Sequence, residues 1–145
     1  MTNPILIPFR AEHLLWLEDR DGLKRSSWEM AVNREKNGIA YTALVDDKII
    51  ACAGVVFPWP EMGSAWVTFQ ELALKHKIWV TRIIKRILED TIRARNLNRV
   101  EAVVLADNIV NQEWIKVLGF TQENGRARKY SPDGRDVIRY EYIKE

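Results

Sequence analysis

From Ile78 to Asn96 apolar residues recur at helical spacing, as Ile78, Trp79, Ile83, Ile84, Ile87, Leu88, Thr91 and Ile92. Arg82, Lys85, Arg86, Glu89, Asp90 and Arg93 fill the opposite face. An amphipathic helix of this length must lay its apolar stripe on another layer, and the segments on either side of it have strand patterning. Ser64 to Phe69 precedes it, with Trp66 and Thr68 opposing Val67 and Phe69, and Val100 to Leu105 follows. Strand, long helix and strand in this order commit the chain to an α/β (α+β) architecture.

The rest of the sequence supplies more strands than helices. Ile39 to Val45 and Lys48 to Phe57 are β-rich runs separated by Asp46-Asp47, a two-residue spacing that favours a hairpin. Pro58 and Pro60 remove backbone donors, so Pro58 to Gly63 is expected to be a loop. The apolar start Ile5 to Phe9 predicts a first strand. Leu14, Leu15, Trp16 and Leu17 predict a short helix ended by Asp21-Gly22, and Ser26-Ser27 a cap for a second helix through Lys36. Asn108 to Leu118 predicts a further amphipathic helix, with Gly119 where a helix end favours a left-handed residue. Arg126 to Tyr130 and Asp136 to Ile143 flank Ser131-Pro132-Asp133-Gly134, which presets a reverse turn. The expected order is β, α, α, β, β, β, long α, β, α, β, β.

Composition excludes several classes. The 145 residues are enough to bury a core without metals or disulfides, and no linker-like stretch or repeat divides residues 1–145, so one domain is expected. No apolar stretch approaches the roughly 20 residues of a spanning helix, and the start MTNPILIPFR has no secretory pattern, so neither a membrane protein nor a secreted precursor is expected. A net charge of +2 is weak for nucleic-acid binding, and Glu89 and Asp90 interrupt the basic face of the long helix. Cys52, the single cysteine, sits in an apolar run and is expected to be a small buried hydrophobe. His13 and His76 are far apart in sequence, with no metal-ligand spacing, and no Gly-x-Ser-x-Gly, Walker or Rossmann fingerprint occurs.

The segment Asn108-Ile-Val-Asn-Gln-Glu-Trp-Ile-Lys-Val-Leu-Gly-Phe120, together with the preceding strand, long helix and strand, resembles the GNAT acyltransferases. The resemblance covers the chain from about Ile39 to Ile143. It implies a GNAT-like mixed, mostly antiparallel twisted sheet with helices on both faces, and acetyl-CoA as cofactor. The family's phosphate loop, Gln/Arg-x-x-Gly-x-Gly/Ala, falls on Lys75-His-Lys-Ile78-Trp-Val80, where Ile78 and Val80 replace the two small residues. Lys75, Lys77, Ile78, Trp79, Val80 and Asn108 are thereby the cofactor-binding candidates, with the lysines compensating for the missing glycines. Alternatively, Ile78 and Val80 simply begin the core face of the helix.

The tyrosine that the family often places seven residues after the signature Asn, to protonate the leaving thiolate, is Ile115 here. Trp114 beside it donates but has no useful acidity, and is expected to be a core anchor. A general base is sought at Glu71, the catalytic candidate, or at Glu61, while Glu71 equally suits compensation of a helix dipole. Six tryptophans exceed what so small a core needs, and Trp59, between two prolines, is the candidate for a surface contact with another protein.

A narrower similarity, to GNAT-like proteins of tailed phages including internal virion proteins, implies synthesis in a bacterial host cytoplasm and contacts with virion proteins. On that resemblance the expected function is a degenerate acyltransferase fold acting as a virion-associated or assembly module. The alternative is an acetyl-CoA-dependent N-acetyltransferase with an atypical cofactor loop. Whether the strands before and after the long helix splay apart discriminates the two, since an open slot favours the enzyme.

Overall fold

The computed structural model describes residues 4–18, 25–131 and 133–143. Its strands are β1 (Ile5–Pro8), β2 (Gly38–Val45), β3 (Lys48–Trp59), β4 (Met62–Phe69), β5 (Arg99–Leu105), β6 (Thr121–Ala127) and β7 (Val137–Ile143). Its helices are α1 (His13–Glu18), α2 (Arg25–Lys36), α3 (Lys77–Arg95) and α4 (Ile109–Val117). The seven strands form one sheet in the order β1-β2-β3-β4-β5-β7-β6, in which β4 and β5 pair in parallel and all other neighbours pair antiparallel.

Local chemistry accounts for most boundaries. Asp46 and Asp47 both take positive φ, 49° and 64°, the pair of left-handed residues that a tight β2–β3 hairpin demands. Asn96 ends α3 in the left-handed region, with its amide bonded to Arg93 O and Ile92 O. Asn108 caps α4 by accepting the Asn111 amide at 3.0 Å, and Gly119, with φ 102°, lets the chain leave the helix.

Three expectations need correction. The stretch Pro58 to Gly63 is not a loop: β3 runs on to Trp59, which pairs with Met62. The prolines are tolerated because β2 ends opposite Val56 and the β3–β4 register shifts between Val56 and Trp59, so no ladder bond from Pro58 is needed. Ser26 and Ser27 lie inside α2, which is already helical at Arg25, so neither is its cap; the Asp21-Gly22 turn lies outside the described residues. The connection between Phe69 and α3 is a 3-10 helix, Glu71–His76. The last hairpin is wider than expected: β6 stops at Ala127, and Lys129, with φ 52°, turns its amide to the Asp136 carboxylate at 3.0 Å. Gly134 closes the tip on Ser131 O at 2.8 Å, with Pro132 outside the described residues.

Helices cover both faces. On one, Leu88 and Ile92 of α3 and Ile115 of α4, with the adjoining Leu118, pack on Val55, Val100, Ala102 and Tyr140. On the other, Leu14 and Leu17 of α1 and Ala31 of α2 pack on Phe9 and Cys52. Cys52 is fully buried, as a small hydrophobe should be, with its sulfur 3.5 Å from the Thr42 hydroxyl. Residues Arg99 and Glu101 alternate away from the α3 face, where Arg99 meets Glu101, Glu123 and Glu141, and Arg139 meets Glu101 at 3.3 Å. That network raises the Arg99 pKa above its ordinary value against the opposing cost of burial.

His13 ties α1 to the sheet. Its Nδ1 accepts the Arg10 amide at 3.1 Å and lies 2.7 Å from the Thr42 hydroxyl, and burial pushes its pKa below the ordinary value. The folded state therefore favours the neutral ring, and the unfolded chain takes up the proton first as pH falls. The contribution is complete above the unfolded pKa of about 6.5 and is lost as pH falls through the lower folded value. Melting curves between about pH 7.5 and about pH 5 should show a smaller loss of stability in His13→Gln than in the unmodified protein; identical slopes would contradict this assignment.

Candidate functional site

The parallel pairing of β4 and β5 lasts for three residue pairs, Met62 with Arg99, Gly63 with Val100 and Ser64 with Glu101. Beyond them β4 stays paired to β3 as far as Phe69, and β5 to β7 as far as Leu105, but the two do not pair with each other. The sheet is split. From Ala65 and from Ala102 onward each strand presents an edge of backbone donors and acceptors to the gap, the kind of edge onto which an extended ligand adds as a strand would.

A cavity of about 560 Å³ occupies the split. Its walls are Ala65, Trp66 and Val67 of β4 and Ala102 to Leu105 of β5. On one side of the sheet it reaches Met30, Asn33 and Arg34 of α2, and on the other Ile84, Ile87 and Leu88 of α3 with Asn111, Trp114 and Ile115 of α4. It thus passes through the sheet, and its size lies within the range of about 300–1,000 Å³ usual for small-molecule sites. Gly54 also lines it and has no room for a side chain, because a Cβ there would stand 2.5 Å from Ile39 O on the neighbouring strand.

Few polar groups face this space. Arg34 is the one charged side chain among the described lining residues, and its guanidinium lies 4.3 Å above the Trp66 ring centroid. Such a stack is worth about 0.5–1 kcal/mol at a partly exposed site. Trp66 meets Phe9 edge-on at 5.0 Å, and its buried indole N–H has no hydrogen-bond partner among the described residues. Trp114 donates to the Thr81 hydroxyl at 3.0 Å and stands edge-on to Phe69 at 4.9 Å, tying α4 to α3 and β4 at the wall of the cavity. Gln112 donates to Leu105 O and Ala106 O at 3.1 and 2.9 Å, which fixes α4 to the end of β5. No carboxylate, imidazole or thiol lies among the described lining residues, so the walls position a ligand without supplying a general base.

A second hollow, of about 470 Å³, is formed where the 3-10 helix meets α3, by Leu74, Lys75, His76, Lys77, Ile78, Trp79 and Arg82. Four of the cofactor candidates, Lys75, Lys77, Ile78 and Trp79, therefore sit together in it. Asn108 instead lines the through-sheet cavity, as the cap of α4. Val80 is buried at the start of the core face of α3, but Ile78 is 71% exposed, so only half of the core-face reading holds. Two residues along a helix is about 200° of rotation, which sends Ile78 and Val80 to opposite sides.

Glu71 is exposed at the first position of the 3-10 helix and lines neither hollow, a place that suits dipole compensation. Glu61 is exposed in the β3–β4 turn, where its carbonyl accepts the Asn98 amide at 2.8 Å, at the closed end of the split. Ile115 does face the cavity, at the position where the resemblance places a proton donor, and brings none. Trp59 is 59% exposed at the hairpin tip, and Trp16 and Trp28 are exposed too. Sequence reasoning missed Met30, Asn33, Arg34 and Tyr130; the first three share one face of α2 at helical spacing, but only the tertiary fold sets that face over the split.

No family model matches the sequence, and no curated protein does either. Solved structures do match the fold. The ribosomal-protein-S18-alanine N-acetyltransferase from Escherichia coli superposes with a TM-score of 0.76 at 17% identity, over 97% of this chain and 94% of that one. A spermidine N-acetyltransferase from Vibrio cholerae gives 0.71 at 12% identity, over 96% and 94% of the two chains. An acetyltransferase of the GNAT family from Streptococcus pneumoniae gives 0.65 at 16% identity, over 99% and 100%. At these identities the likeness concerns the fold, which is that of the GNAT acetyltransferases.

Proposed function

We propose that this protein is an acyl-CoA-dependent N-acyltransferase with an atypical phosphate site. The observation that carries the reading is the split between β4 and β5, which opens a cavity through the sheet lined on one side by α2 and on the other by α3 and α4. Lys75, Lys77 and Arg82 surround the hollow at the start of α3, so a phosphate-bearing group fits there by charge, with side chains replacing a glycine-rich backbone cradle. The acyl-bearing arm of the donor is then placed in the split, along the free edge of β4. The thioester supplies the acyl group: the new bond to the amine nitrogen forms, the carbon–sulfur bond breaks, and the amine proton ends on the thiol.

This chain's own contribution is positioning and exclusion of water, since the described walls hold no carboxylate or imidazole to take that proton, and Tyr130 is the one phenol among them. The amine must then arrive deprotonated. The test is thiol release from acetyl-CoA in the presence of primary amines at several pH values. The expected rate rises with pH up to the amine's own pKa and shows no bell; a bell-shaped profile independent of the amine would reveal a general base on the protein. Acetyltransferase neighbours support this reading over the virion-associated one, for which there are only exposed aromatics such as Trp59.

A further inference from the structure

Two strand edges face the split, and the donor's arm takes only that of β4. Bonds between antiparallel strands alternate along the chain, so one bonded pair fixes the direction of every backbone group near it. The Ala106 N–H donates to Asp136 O at 3.0 Å, one step beyond the register pair Leu105 and Val137. Counting back in twos, Val104 and Ala102 bond to Ile138 and Tyr140 of β7. Glu101, Val103 and Leu105 therefore turn their N–H and C=O the other way, toward β4. Glu101 is still in register with Ser64, and the Leu105 carbonyl accepts the Asn108 amide at 3.0 Å and Gln112 Nε2 at 3.1 Å. Val103 is left over. It is exposed and lines the cavity, and neither its N–H nor its C=O has a partner among the described residues. A backbone donor and acceptor on one residue at a strand edge match one residue of an extended peptide. The same alternation, set on β4 by the Gln70 N–H donating to Ile50 O at 2.8 Å, turns Ala65 and Val67 to the split from the other side.

Proton balance narrows the amine as well. No carboxylate or imidazole among the described lining residues can take its proton, so only the free base reacts. At about pH 7.5 a peptide α-amine, with a pKa of about 7.7–8.0, is roughly one-third free base, whereas an alkylamine near 10.4 is free base in about one molecule per thousand. We infer that the acceptor is the N-terminal α-amine of a peptide, whose extended backbone pairs with Val103 on the free edge of β5 while the donor's arm lies on that of β4. The free amine attacks the thioester carbon, the carbon–sulfur bond breaks, and the proton shed by nitrogen ends on the thiol. A polyamine offers neither the low amine pKa nor a peptide group. The inference rests on the N-acyltransferase reading and names the acceptor class of the same site.

Binding and amide hydrogen exchange, both measured on the full chain without any acyl donor, test it. The probes are trialaninamide, its analogue methylated on both internal peptide nitrogens, alaninamide and spermidine. Trialaninamide is expected to bind about tenfold or more tighter than each of the others, the ratio that two ordinary hydrogen bonds give. In the free protein the Val103 N–H should exchange at least about tenfold faster than the ladder-bonded N–H of Val104. Saturating trialaninamide should slow Val103 and leave Val104 unchanged. Equal or tighter binding of alaninamide, the methylated peptide or spermidine would overturn the inference. So would a Val103 N–H as protected as that of Val104 before any peptide is added, protection that appears at Val67 instead of Val103, or no binding of trialaninamide up to about 10 mM. Because acyl-CoA is absent, failure here leaves the acyltransferase reading standing, and failure of acyl-CoA to bind leaves this result intact.

Discussion

Ala65→Phe is expected to abolish acyl-CoA binding while leaving the protein folded. Ala65 sits on the first β4 residue past the last parallel pair, on the sheet face toward α3, and lines the cavity. A benzyl group there fills the slot at its narrow end and blocks the edge against which an extended arm would lie. The expected loss is at least about 100-fold in affinity, or about 2.7 kcal/mol. Overpacking a filled core costs about 1–3 kcal/mol, but this side chain enters open space, so the melting temperature should stay near that of the unmodified protein. Titration and a thermal melt on the same sample decide the matter. A variant that binds acetyl-CoA as before would remove the slot from the account, and one that unfolds would show the space to be core.

Leu97→Ala should have the largest effect on stability. Leu97 is 1% exposed and belongs to the cluster under α3 and α4. Its side chain packs over the Gly63–Val100 pair, where a Cβ on Gly63 would meet Val55 Cγ1 at 2.6 Å and Leu97 Cδ1 at 3.3 Å. This is the closed end of the split, the point from which β4 and β5 diverge. Truncation should cost about 2–5 kcal/mol by the cavity it leaves, against less than about 1.5 kcal/mol for Leu97→Met. Denaturant unfolding of both variants checks it; a loss below about 1 kcal/mol in Leu97→Ala would show that the hinge is held elsewhere.

Local signals carried the fold further than they carried the site. The Asp46-Asp47 hairpin, the Asn96 end of α3 and the Asn108 and Gly119 limits of α4 are set by residues next to one another, and each follows from the sequence. Pro58 misled because a proline's tolerance depends on whether a neighbouring strand needs its donor, and β2 has already ended there. Ser26-Ser27 suits a cap, but the helix starts at Arg25. Ile78 shares the apolar character of the core stripe and faces outward because the helix begins a turn earlier than its packing does.

The slot was legible only as a question. Nothing in Ser64 to Phe69 or Arg99 to Leu105 announces that two strands pair for three residues and then part, since the two lie about thirty residues apart in sequence and only the tertiary fold sets their distance. The walls were equally hidden. Arg34 and Trp66 lie 32 positions apart in sequence and come together at 4.3 Å through the packing of α2 on the sheet. Glu71, chosen because it follows β4, stands outside both hollows, because the 3-10 helix carries it to the surface.

The central claim is that the split between β4 and β5 holds an acyl-CoA, and calorimetric titration of acetyl-CoA into the unmodified protein tests it most directly. The account predicts saturable binding in the micromolar range, about 8 kcal/mol, weakened when Lys75 and Lys77 are both replaced by Ala. A folded sample that takes up no acetyl-CoA at about 1 mM would contradict it.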